Sequence, residues 1–65
     1  MTQKELLYVE DAIGHENIII SMIDEDVKKL KDEKLLSFMK KEKKNHTTTL
    51  NKLISLLEDT KWMIN

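Results

Sequence analysis

Leu6, Val9, Ile13, Glu16, Ile20, Ile23, Val27 and Leu30 follow one another at alternating steps of three and four residues. That spacing lays them along one stripe of a helix, the seam of a helix packed nearly parallel or antiparallel to another. Ala12, Ile19 and Met22 widen the stripe on one flank. One member of the seam, Glu16, is wrong for a core. The predicted helix runs from about Thr2 to Leu30. Thr2 with Glu5 three residues later fits a capping box. Lys28, Lys29 and Lys31 would close the helix where cations suit its dipole.

The segment KDEKLL then opens a second helix, predicted over about Glu33 to Glu58, after a turn at 31–32. Asp32 suits the N-cap, and Glu33 falls in the first turn. The apolar positions are Leu35, Leu36, Phe38 and Met39, then a gap, then Leu50, Leu53, Ile54, Leu56 and Leu57. Carrying the stripe through the gap lands on Glu42, His46 and Thr49. Thr47, Thr48 and Thr49 are poor helix material, because β-branched side chains are restricted against the preceding turn; local distortion rather than a break is expected. A joint this short forces the two helices antiparallel. The fold class is therefore all-α, a two-helix hairpin in a single domain of 65 residues. The tail at 59–65 is too short for a third helix, but Trp62, Met63 and Ile64 could extend helix 2 or cap a partner.

Composition narrows the function. Eleven Lys and no Arg stand against twelve acids, giving a formal net charge of -1. Nucleic-acid binding is not expected, since it needs a basic excess and usually Arg. Without cysteine, neither disulfides nor thiolate chemistry can arise. The N-terminus MTQKELLYVED turns acidic where a signal peptide would carry its apolar core. The run Ile18-Ile19-Ile20 is far too short to span a bilayer. These features point to a soluble intracellular protein. A chain below roughly 70–80 residues rarely builds a sufficient core alone. With disulfides excluded, oligomerisation or a metal is left to supply the missing stability.

In a hairpin turning at residues 31–32, level partners have numbers that sum to about 63. Glu16 then lies level with His46 to within one position, and Glu42 sits one turn away. A two-fold dimer would complete a four-helix bundle and bring both copies of Glu16, Glu42 and His46 together. Three readings of this layer stand side by side. It could be a metal site for Fe, Mn or Zn with His15 in the outer shell. It could be a self-satisfied Glu–His pair that sets register, or a solvated patch. Lys40, Lys41, Lys43 and Lys44 face Asp24, Glu25 and Asp26 by the same rule, a charge-complementary rim. Gly14 reads either as tolerated drift or as a site of close backbone approach, with a slight preference for drift. The serines have no His at neighbouring helical spacing, so no nucleophile is indicated.

YVEDAIGHEN, Tyr8 to Asn17, followed by KDEKLLSFMKKEKKNHTTTLNKLISLL, resembles the spore coat protein F-like family of the ferritin-like superfamily. The shared features are Glu10, Asp11, Ala12, His15 and Glu16 in helix 1, the acidic turn Asp32-Glu33, and His46 in mid helix 2. The resemblance implies antiparallel helical packing, endospore-forming bacteria, other coat proteins as partners, and a location in the cytoplasm or spore coat. It implies no enzymatic activity. The superfamily's metal signature is Glu on one helix and Glu-x-x-His on the next. Here Glu16 fits the first, while Glu42 to His46 is a four-residue step with Asn45 at the third place. The sporulation aspartyl-phosphate phosphatases, also small hairpins, need an acidic residue that Ser37-Phe38-Met39-Lys40-Lys41 lacks.

The expected function is thus a structural or assembly protein acting as a helical-bundle homodimer, bound to neither nucleic acid nor membrane. The alternatives are a metal-binding protein with a site shared between subunits, and a module that inserts into a larger helical partner.

Overall fold

The computed structural model describes residues 1–60. Two helices, α1 (Gln3–Val27) and α2 (Glu33–Thr60), pack against each other as a hairpin. The molecule is a rod about 50 Å long and 14 by 12 Å across its backbone.

The ends of the helices form for local reasons. Thr2, extended at φ -75° and ψ 165°, caps α1. The Glu5 amide donates to Thr2 Oγ1 at 3.1 Å, and the Thr2 amide donates to Glu5 Oε1 at 2.8 Å. Two otherwise unpaired amides are thereby satisfied reciprocally. Those hydrogen bonds hold the Glu5 carboxyl below its ordinary value of 4.5, the Thr2 backbone bond contributing most. At the start of α2, the Leu35 amide donates to Asp32 Oδ1 at 2.9 Å, the N-cap expected of that residue.

The first helix ends earlier than its apolar spacing predicts, at Val27 rather than Leu30. The connection therefore spans 28–32, not 31–32. Antiparallel helices are joined by loops of about two to five residues, and this connection takes the longer form, with Leu30 half-buried within it. The last turn closes with the Lys29 amide on the Asp26 carbonyl at 3.0 Å. As a result the final turn of α1 holds Asp24, Glu25 and Asp26 and no lysine. Lys28 instead reaches back to Glu25, 3.2 Å away on the surface. At the other end α2 continues to Thr60, two residues past the expected stop. Trp62, Met63 and Ile64 lie outside the described residues.

All eight α1 seam positions are at least half-buried. On α2 the half-buried seam is Leu36, Met39, Lys43, His46, Leu50, Leu53 and Leu57, with Glu42 and Thr47 on its flanks. The predicted stripe through Thr49 is displaced: Thr49 is exposed, and Leu50 takes the place in the seam. α2 nonetheless runs unbroken through the threonines. The Thr48 and Thr49 hydroxyls donate to the carbonyls of Lys44 and Asn45, at 3.0 and 3.1 Å, which satisfies them within the helix at a slight cost to its stability. Among the described residues only Ile23 is buried, at 6 % exposure, and none is fully so. A Cβ built on Gly14 would meet nothing within 4 Å, so the glycine serves no close approach within this hairpin.

Candidate functional site, a carboxylate and imidazole layer

The seam of α1 delivers Glu16 and the seam of α2 delivers His46 to one level, near the middle of both helices. His46 Nδ1 lies 2.6 Å from Glu16 Oε2. An ionised carboxylate offers only acceptors, so with Glu16 charged the proton sits on Nδ1 and the ring donates. The short distance is that of a charge-assisted bond. Side-chain exposure is 16 % for Glu16 and 28 % for His46, so water is partly withdrawn from both.

Glu42, one turn before His46 on the same face of α2, faces the other ring nitrogen. Its Oε2 lies 3.8 Å from Nε2, inside ion-pair range but beyond a hydrogen bond. The imidazole thus has a carboxylate at each nitrogen, one tightly joined and one loosely. The predicted convergence of Glu16, Glu42 and His46 is present in the fold. His15 is exposed on the neighbouring side of α1. Among the described residues no hydrogen bond or ion pair links it to the layer.

As a metal site the layer is incomplete within one chain. No group of three or more His, Cys, Asp or Glu among the described residues could hold an ion. Once Glu16 has engaged Nδ1, the donors left facing each other are Nε2 of His46 and the carboxylate of Glu42. Structural and catalytic zinc sites use at least three protein ligands. Further donors would have to come from a second copy.

Family models, curated proteins and solved structures were compared with this chain, and none matches it. The site must therefore be read from its own geometry.

Sequence reasoning placed Lys43 on the solvated rim with its three lysine neighbours. The expected pairing across the hairpin is present at Lys43, whose Nζ lies 2.6 Å from Asp24 Oδ1 with both side chains 45 % exposed, although the residue stands at a seam position. The signal was present: Leu36, Met39, Lys43, His46 and Leu50 step by three and four. A long side chain at such a place buries its stem and carries its charge to the edge. The polar middle of α2 therefore spans Glu42, Lys43, His46 and Thr47, with a second interhelix ion pair under one turn from the first on α2 and about two turns from it on α1. No helix of the described residues is long and apolar enough to cross a membrane.

Proposed function

We propose that this chain is a non-enzymatic assembly module, a helical hairpin that completes its core by pairing with a second copy as a four-helix bundle. One observation carries this reading: Tyr8, Met22, Leu35, Phe38 and Leu56, five of the nine exposed large apolar residues among those described, lie on one face of a hairpin with only Ile23 buried in its own core.

The face follows from the seams. In an antiparallel pair, the positions just before each seam residue lie on the same side in both helices. On α1 that side carries Tyr8, Ala12, His15, Ile19 and Met22. On α2 it carries Leu35, Phe38, Glu42, Asn45 and Thr49. Tyr8 is 60 % exposed, Met22 59 % and Phe38 57 %. The opposite side carries Leu7 and Ile54 among charged and polar residues such as Asn17, Ser21, Lys40, Lys44 and Asn51, and Ile18 lies on the outer face of α1.

The surface area agrees. A compact monomer of this 7.7 kDa mass would expose about 4300 Å². The chain exposes 5406 Å². The excess, about 1100 Å², is larger than the roughly 800 Å² that each partner hides in a standard interface. Apolar patches of this kind mark contact sites.

On this reading the Glu16–His46 pair is a polar register device inside the hairpin, satisfied by its own hydrogen bond. Placement in a spore coat or forespore assembly rests on the resemblance of GHEN and its flanking residues alone. Light scattering across a concentration series tests the dimer. The expected mass is twice the monomer's, with a melting temperature that rises with concentration. A folded monomer at high concentration overturns the reading.

A second reading, a metal site shared between copies, is supported by the two carboxylates that flank the ring nitrogens of His46. Protein purified without chelator would then carry Fe, Mn or Zn. If it carries none, and added metal leaves thermal stability unchanged, that reading fails.

A further inference from the structure

Two faces of this kind can meet in two ways. The hairpins can lie turn beside turn, with each α1 along the other copy's α2 at the same level. Alternatively one hairpin is reversed end for end, so that α1 lies along α1 and α2 along α2. We propose that the second copy docks reversed, about a two-fold axis perpendicular to the helices at the level of His15, and that its Lys52 completes the polar layer by pairing with Glu42. This rests on the second-copy reading above and adds to it the direction and the shared contact.

The Glu16–His46 bond sets the levels: residues whose numbers sum to about 62 lie side by side. His15 is therefore level with Thr47. An axis at that level matches the exposed groups with one another. Tyr8 and Met22 lie seven residues either side of His15, so Tyr8 of one copy meets Met22 of the other. Phe38 and Leu56 are related in the same way about Thr47. Glu42 and Lys52, five residues either side of Thr47, meet as opposite charges. Lys4 and Asp26, eleven residues either side of His15, do the same. These four pairs share one centre, while Leu35, twelve residues before Thr47, meets Asp59.

The turn-beside-turn arrangement does not match charge. At equal levels Glu42 would face Ile19 of the second copy, and Asp26 would face Leu35. Each carboxylate would lose water without gaining a cation, which is costly. Opposite charges across an interface select one arrangement by penalising the others.

Glu42 itself has room for a further partner. Its side chain is 37 % exposed, and its Oε2 sits 3.8 Å from Nε2 of His46, too far for a hydrogen bond. Lys52 is exposed and makes no ion pair among the described residues. In the reversed dimer Glu42 lies between the imidazole of its own chain and the ammonium of the other. The chain Glu16–His46–Glu42 then ends on a cation instead of in water.

The absence of cysteine from the chain makes the test direct. His15→Cys, oxidised at low micromolar concentration, is expected to give a covalent dimer, because the two copies of residue 15 meet at the axis. Met22→Cys, treated alike, is expected to give none, since its copies lie about 21 Å apart along the bundle. Lys52→Glu should weaken dimerisation by about ten-fold, and Glu42→Lys combined with Lys52→Glu should restore it. Circular dichroism confirms that each variant is helical. A dimer by light scattering that neither cross-links through residue 15 nor recovers on charge exchange overturns the reversed arrangement and leaves the second copy standing. A monomer at every concentration overturns both.

Discussion

His46 Nδ1 and Glu16 Oε2, 2.6 Å apart, join the middle of α2 to the middle of α1. With the Lys43–Asp24 ion pair this bond ties the two helices together across the hairpin, and it is the less exposed of the two contacts. Removing either partner leaves the other short of water and unpaired. His46→Leu and Glu16→Leu should each destabilise the protein by about 1–3 kcal/mol. The double variant should recover most of that loss, because the seam then becomes continuously apolar. Urea unfolding at one fixed protein concentration measures all three. Single variants as stable as the parent would mean that the layer is solvated.

Gly14 lies in a helix interior with open space around it. Gly14→Ala should stabilise the protein by up to about 1 kcal/mol, through helix propensity and a less flexible unfolded chain. Gly14 is off the apolar face, so the dissociation constant should stay unchanged. A loss of stability would mean that something packs on this glycine in solution.

The Glu5 carboxyl has its folded value lowered by the Thr2 hydrogen bonds. A group lowered in the folded state adds stability above its unfolded value and loses it as pH falls through the folded one. The cap of α1 should therefore weaken only below the ordinary value of 4.5. Carboxyl carbon shifts followed by NMR should place the Glu5 midpoint below that of an unfolded peptide. In Thr2→Ala the midpoint should move back up. A Glu5 midpoint at the peptide value would show that the box does not form in solution.

Asp32 holds the first turn of α2 through its carboxylate. Asp32→Ala should cost about 1 kcal/mol, the usual loss for an N-cap, whereas Asp32→Ser or Asp32→Asn should cost little. Thermal unfolding of the three variants separates the cap from any role of charge.

The path of both helices, their caps and the Glu16–His46 level were legible in the residues, because each depends on short-range spacing. A three-and-four step selects a face, and a tight joint fixes which residues face each other. The end of α1 was less legible. Leu30 continues the apolar rhythm, but the chain leaves the helix at Val27 to cross to α2. Lys43 pairs across the hairpin with Asp24 as expected, and only its place in the seam went unread, since its type suggests a surface.

By itself, then, the sequence determined two antiparallel helices with a polar layer at mid-length, since helical periodicity and capping chemistry act locally. Tertiary structure decided what periodicity cannot. It closed Nδ1 of His46 on Glu16 and left Glu42 at 3.8 Å. It set Lys43 in the seam and put Tyr8, Met22 and Phe38 outside the pair. Which flank of a stripe is covered depends on where the partner helix lies, and a two-helix pair covers only one side of each.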